Sequence, residues 1–377
     1  MKVLLCTPFN IGPQYVKGGI VVWAQNIVEY YNTLSTDIQL QLVPYDRTVG
    51  NNEEKVMLSR AWSGFIEYYK PIKETRNILG KEDVDIVHLC TSASISLVKD
   101  LVVLRMAKHK EVKSVIHFHF GRIPELAQRK NWEWRLVCKV VSLADSVITM
   151  DIKSFKVLIE HGFKNVHYLP NPLSLGIIRQ IKDNSDNTTR EKGKLSFVGH
   201  VIPTKGVYEL VKACKGLLGI RLHIFGKATP EVQEQMKVIS GNSDWLVFEG
   251  EVEHRRVIQE LLTSSIFVLP TYTEGFPNVI LESMACGCAI VTTPVGAIPE
   301  MLAIDSSEPC GLCTDPKDIA ALRNSIKSFL DNPKLAQEYG SRAIKRVNDL
   351  FSVDKVWGQL VGIWQDTFSI AKGDNQE

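Results

Sequence analysis

No run of about eighteen apolar residues occurs in this chain, so no membrane-spanning helix is expected. A basic excess is missing too: 44 Lys and Arg stand against 42 Asp and Glu, a formal charge of +2. Wholesale nucleic-acid binding needs a concentrated basic surface, and no nucleic-acid partner is expected. Cysteine is too sparse for a disulfide scaffold, with 8 in 377 residues. Of the two close pairs, Cys286-Gly-Cys288 and Cys310-Gly-Leu-Cys313, only the second has the spacing of a zinc knuckle. Tetrahedral zinc usually needs a knuckle on each side, so buried reduced thiols are expected instead. The opening MKVLLCTPFN has one lysine and an apolar run too short for a signal-peptide core. It reads as a first buried strand, and the expected compartment is the cytoplasm.

What is present is globular: 45% hydrophobic and 23% charged residues, in a chain long enough for two cores. Val3 to Cys6 reads as a strand, followed by a loop with Lys17-Gly18-Gly19 and a helical stripe through Ile20, Ala24, Ile27, Val28 and Tyr31. Strand, glycine loop and helix form the opening unit of a nucleotide-binding α/β domain. A second such opening begins with the strand LSFVGH (Leu195 to His200), the loop VIPTKG and a helix from Tyr208 to Cys214. Further strands are expected at DIQLQLVPY, DIVHLC, SVIHFHF, DSVITM, LHIFG, WLVFEGEV, SIFVLPT and AIVTTP. Strands alternating with helices predict parallel sheets. The polar stretch from Lys182 to Lys194 holds no large apolar residue and is the linker candidate. Domains are therefore expected at 1–170 and 171–352, with a terminal helix over 353–377. That helix carries Trp357, Leu360, Val361, Trp364 and Phe368 on one stripe, which packs either on its own domain or back on the first.

The most informative segment runs from Thr273 to Leu302, TEGFPNVILESMACGCAIVTTPVGAIPEML. Glu274 sits in a Gly-Phe-Pro turn and Glu282 lies on the helix after it. Pro277 suits the first helical turn, where a missing N–H costs nothing, and Gly287 suits the helix stop. Unpaired N–H groups at that helix start make a seat for an anion such as a diphosphate. Two acids beside a phosphate seat suit a ligand with hydroxyls and phosphates together.

This region resembles the E-x7-E segment of family 4 of the retaining glycosyltransferases, which have the GT-B fold. The resemblance spans most of the chain and is strongest from about Leu195 to Gly311. It implies two Rossmann-like domains with parallel sheets facing across a cleft, the first binding the acceptor and the second the nucleotide sugar. The expected activity moves a sugar from a UDP- or GDP-linked donor to a saccharide or lipid-linked acceptor, in surface polysaccharide or glycolipid assembly. The donor is a substrate, and no cofactor or metal is implied. Asp83-Val84-Asp85 matches the metal-binding D-x-D of another fold, but here it precedes a strand and reads as a turn cap. A nucleotide-sugar epimerase and a non-catalytic nucleotide-sugar-binding partner remain open as alternatives.

Residue by residue, the resemblance assigns His119, Glu274 and Lys205 to catalysis. Gly18 and Gly19 match the loop that closes over the donor. Phe276, Asn278 and Val279, around Pro277, offer backbone N–H groups to sugar and phosphate, and Glu282 accepts from the ribose hydroxyls. His117 points to the same strand face as His119 and is the alternative to it. Asn171, in LPNP, matches the hinge at the domain crossing, with Pro172 in place of the usual glycine. Arg129, Lys130, Trp132, Trp134, Arg135 and Lys139 interleave bases with aromatics in one expected helix. That helix either meets a membrane surface peripherally, on its inner face, or buries its tryptophans. His200 stands where the family's G-R-x4-K-G pattern has arginine. Histidine carries charge only below a reference pKa of about 6.5, whereas arginine is always charged. Three readings stay open: the diphosphate keeps His200 charged, neutral His200 still donates a hydrogen bond, or donor binding is weakened. Donor use is expected to depend on pH near neutrality; a calorimetric pH profile left unchanged in H200R would exclude that dependence.

Overall fold

The computed structural model describes residues 1–9, 18–45, 69–92, 94–185 and 188–373. The chain separates into two compact units, Met1–Pro172 with Val353–Glu377, and Leu173–Ser352. Lys17, in the expected glycine loop, lies outside the described residues. Among the described residues no helix is long and apolar enough to cross a membrane.

The first unit runs β1 (Lys2–Pro8), α1 (Gly19–Tyr31), β2 (Gln39–Tyr45), α2 (69–79), β3 (Ile86–Thr91) and α3 (Ser96–His109). It continues β4 (Lys113–Phe118), α4 (Ile123–Arg129), α5 (Trp132–Leu143), β5 (Ser146–Thr149), α6 (Ile152–Glu160) and β6 (Val166–Tyr168). The second unit runs α7 (Leu175–Ser185), β7 (Glu191–Val198), a 3-10 turn (Pro203–Lys205), α8 (Val207–Cys214), β8 (Arg221–Phe225) and α9 (Pro230–Ser240). Then follow β9 (Leu246–Gly250), α10 (His254–Thr263), β10 (Ser264–Leu269), α11 (Asn278–Ala285), β11 (Ala289–Thr292) and α12 (Ile298–Met301). The unit closes with β12 (Leu312–Cys313), α13 (Ile319–Asp331) and α14 (Pro333–Arg346), and α15 (Val353–Gly373) returns to the first unit.

Each unit holds one six-stranded sheet, ordered β2-β1-β3-β4-β5-β6 and β12-β11-β10-β7-β8-β9, and every pairing is parallel. Strands such as β3 and β11 are buried throughout because helices cover both faces, which is why they read as unbroken apolar runs. The order reverses direction between β1 and β3 in the first sheet and between β7 and β10 in the second. Connections from neighbouring strands leave in opposite directions at such a point, which opens a crevice at the carboxyl edge.

Helix α15 packs against α1 and the first sheet, with Trp357, Leu360 and Trp364 buried beside Trp23 and Ile27. Burial of large side chains like these stabilises by about 1.5–3 kcal/mol each. Polar bonds fix its register: Trp364 Nε1 donates to His88 Nδ1 at 2.9 Å, and the Thr367 hydroxyl to Ser146 Oγ at 2.8 Å.

Two expectations are corrected. The polar stretch from Lys182 is not a linker: it closes α7, and β7 already begins at Glu191, with Lys194 inside it. Ion pairs replace apolar packing there, Lys194 reaching Glu191 at 2.9 Å and Glu260 at 2.8 Å. The basic-aromatic segment is two helices, because Lys130 ends α4 in the left-handed conformation (φ 49°) and Asn131 caps α5. Trp134 packs on His161 in the interior, leaving Trp132 exposed, so the aromatics do not share one outer face. Asp85 accepts the Lys2 N–H at 2.7 Å at the amino edge of the first sheet, where the D-x-D serves as a turn anchor.

Gly206 joins the 3-10 turn to α8 at φ 70°, and a Cβ there would lie 2.0 Å from the Pro270 carbonyl oxygen. Both conformation and space exclude a side chain. Gly206→Ala is expected to destabilise the protein by about 2–3 kcal/mol, read as a lowered urea midpoint with an unchanged m-value.

Candidate active site

The reversal between β7 and β10 brings the loops after these strands side by side. Tyr272 N–H donates to the Thr204 carbonyl at 2.9 Å, tying one loop to the other. Lys205, closing the turn after β7, donates its ammonium to the Glu274 carboxylate from the loop after β10. Their side chains are 20% and 14% exposed. Each therefore gives up most of its hydration and is offset by the other.

A third loop supports this pair. Ala297 N–H donates to the Gly275 carbonyl at 2.8 Å, and Gly296 (φ 57°) lies so close that a Cβ would stand 2.4 Å from the Glu274 carbonyl oxygen. This explains the PVGAIPE segment: its glycine lets the backbone press on the turn that carries Glu274. Phe276 is buried against Phe351 at 6.0 Å, so only its backbone can face a ligand. Pro277 occupies the cap position (φ −74°, ψ 113°) instead of the first helical turn, and Asn278 and Val279 open α11. The helix ends at Cys286, with Gly287 beyond it at φ 69°. Glu282, one turn inside α11, is buried, and its Oε1 is 2.9 Å from His254 Nε2.

His200 is exposed just past β7 and has no side-chain partner among the described residues. Two residues not foreseen from sequence, Tyr272 and Lys317, come together at the loop after β10. Tyr272 bonds Glu209 on α8, and burial together with that carboxylate pushes its phenol up to about 12. Lys317 Nζ lies 5.1 Å above the same ring. His254 was not foreseen either; its only sequence signal is its place directly after a strand-ending loop.

In the first unit, Gly18 caps α1 and Gly19 is its first residue, and a Cβ on either would meet nothing within 4 Å among the described residues. His119 follows β4 at the carboxyl edge, with its ring 3.9 Å from His117 and 4.9 Å from Trp23. His88 completes the group, 5.6 Å from His117. Burial drives His88 and His119 down to about 3, and burial and then the neighbouring imidazoles hold His117 well below its usual range. All three are neutral at pH 7.

Nitrogen and sulfur atoms of His88, Cys90 and His117 lie within 4.8 Å of one another, a spacing that could gather a metal ion. The donor set does not fit. Trp364 is a donor only, so His88 Nδ1 must be bare and its proton must sit on Nε2. His88 thus has no lone pair to offer, and two ligands remain. All eight cysteines are free, and burial raises Cys286 and Cys288 on α11 and its exit.

Residues 177–346 match the family described as Glycosyl transferases group 1. An uncharacterised glycosyltransferase of Methanocaldococcus jannaschii is 22% identical over 94% of this chain and 95% of its own length. The capsular polysaccharide biosynthesis glycosyltransferase of Staphylococcus aureus is 24% identical over 48% of this chain, a match spanning 47% of that enzyme. Among solved structures, sucrose-phosphate synthase from Thermosynechococcus elongatus has a TM-score of 0.72 at 16% identity, covering 98% of this chain and 99% of its own. The Anabaena protein HepE in complex with UDP scores 0.68 at 16% identity, covering 97% and 100%. These likenesses show the fold, which is GT-B.

The buried imidazoles predict acid sensitivity. In the unfolded chain histidine takes a proton near pH 6.5, whereas folded His88 resists it down to about 3. The unfolded state therefore binds more protons across that window, and stability falls as pH drops through it. Each such group should cost up to about 1.4 kcal/mol per pH unit. Urea unfolding at pH 7 and pH 5 should show a smaller acid loss for His117→Met than for the wild type.

Proposed function

We propose that this chain is a group 1 glycosyltransferase that transfers a sugar from a nucleoside-diphosphate sugar with retention at the anomeric carbon, and needs no metal. One observation carries the reading: Lys205 is held on Glu274 at the strand-order reversal of the second sheet, with Glu282 one turn inside the helix that follows. A cation, two carboxylates and a helix N-terminus at one carboxyl edge match a ligand with a diphosphate, a sugar and a ribose. The diphosphate takes Lys205 and the N–H groups opening α11, which frees Glu274 for sugar hydroxyls. Glu282 accepts from the ribose, and exposed His200 adds a donor to the phosphates.

Bond breaking leaves an oxocarbenium-like sugar and a diphosphate, and stabilising that diphosphate is the dominant electrostatic task. The C1–oxygen bond to phosphate breaks, the acceptor oxygen bonds to C1 from the same side, and its proton passes to the departing diphosphate. His119 is neutral at pH 7, so its role is hydrogen bonding to a sugar hydroxyl and not charge compensation. The acceptor is a saccharide or a lipid-linked saccharide, as in polysaccharide assembly, and the first unit binds it. The Staphylococcus relative's part in capsular polysaccharide biosynthesis supports this reading, and the Anabaena protein's complex with UDP supports a uridine donor.

Thermal unfolding with UDP, GDP, ADP and their sugar conjugates tests the proposal. At about 100 times its dissociation constant the right ligand should add roughly 2.7 kcal/mol, and much less in Lys205→Ala and Glu282→Ala. Stabilisation by none of them would overturn the donor assignment. Stabilisation without nucleotide release in the presence of acceptors would mark a non-catalytic binder.

A further inference from the structure

The bond between His254 and Glu282 is left unexplained by the donor chemistry above. His254 is the first residue of α10, directly beyond the loop that leaves the carboxyl end of β9. Glu282 comes from α11, so a hydrogen bond of 2.9 Å, Nε2 to Oε1, joins the two helices. The exposures differ sharply: the Glu282 side chain is 10% exposed and that of His254 51%. An ionised carboxylate so far removed from water needs a donor, and it can only accept. Nε2 therefore carries the proton, in either charge state of the ring. The bond uses one lone pair of Oε1, and Oε2 receives nothing from a described residue. About three of the carboxylate's four accepting positions are left for a ligand.

Without a partner, a glutamate in the middle of a helix samples several rotamers, and fixing it on ligand entry costs entropy. A donor already seated on one oxygen meets that cost beforehand and aims the other positions outward. We propose that His254 is a positioning residue for the nucleotide seat: it holds Glu282 in the orientation that accepts the 2′- and 3′-hydroxyls of a ribose. This inference rests on the reading of Glu282 as the ribose acceptor. It adds that ribose recognition is assembled from two helices, with the imidazole never needing to touch the nucleotide. The imidazole and the ribose act together on one carboxylate and do not compete for it.

Calorimetric titration of the full chain with UDP, GDP and ADP, each paired with its 2′,3′-dideoxy counterpart, separates the possibilities. The wild type should bind one ribonucleotide more tightly than its dideoxy form. His254→Ala should weaken the ribonucleotide roughly tenfold while leaving the dideoxy form nearly unchanged, so the ratio collapses. His254→Gln, whose amide nitrogen can stand near the place of Nε2, should restore most of the ratio. A merely structural role would weaken both ligands alike and leave the ratio intact, which would overturn the inference. Tighter ribonucleotide binding in His254→Ala would overturn it as well, by making the imidazole a competitor. Glu282→Ala tells which layer has failed. If it abolishes the ratio while His254→Ala does not, only the positioning role falls. If Glu282→Ala keeps the ratio, or no diphosphate binds the wild type, the ribose assignment falls and the inference with it.

Discussion

The candidate site depends on one topological constraint, the reversal of strand order between β7 and β10. The first connection after β7 leads toward β8 and the one after β10 leads toward β11, so the two loops part over neighbouring strand ends. Nothing regular fills the gap, and irregular backbone must satisfy itself. It does so with the bond from Tyr272 to Thr204 and the contact of Gly206 with Pro270. Lys205 and Glu274, 69 residues apart in sequence, become neighbours as a consequence. The first sheet has a reversal of the same kind between β1 and β3, and Gly18 and Gly19 lie beyond its first strand.

A buried pair such as Lys205 and Glu274 is a weak source of stability, because desolvating two ions offsets most of their attraction. Its value is poise. Each partner waits at low dielectric with its charge matched, and a ligand bearing the opposite arrangement can take over both. Backbone supports the pair from three loops, through Thr204, Gly275 and Gly296, and not through mobile side chains. Such support holds the pair in place without asking a ligand to order it.

The parallel two-sheet fold and most of the second-unit site were legible, because both are written in local patterns. Buried strands leave unbroken apolar runs, and the Glu274–Glu282 segment keeps its turn, helix and glycine contiguous. Failures came where tertiary context overrides local signal. The stretch after Lys182 looked like a linker because its strand is supported by ion pairs at Lys194 and not by large apolar residues. Strands β6 and β12 span three and two residues, too short for periodicity to register. Lys130 breaks a helix through a left-handed conformation that no residue type announced. His254 and Tyr272 act through partners 28 and 63 positions away, at Glu282 and Glu209, and a lone histidine or tyrosine carries no spacing to read.

The two units divide the chemistry by charge. In the second, Lys205 pairs with the Glu274 carboxylate, and Glu282 lies one turn inside the helix that follows. In the first, three imidazoles and two tryptophans form an uncharged group, held so by burial and by the single donor of Trp364. That hydrogen bond comes from α15, so the last helix fixes the proton of His88 in a sheet laid down by the first half of the chain. His117 and His119 follow in line along β4 and its exit, each ring against the next. An imidazole kept neutral can donate to or accept from a hydroxyl, but it cannot stabilise a leaving phosphate. The burden of charge in the proposed reaction therefore falls on the second unit, and the C-terminal helix acts on the first unit by fixing where one buried proton sits.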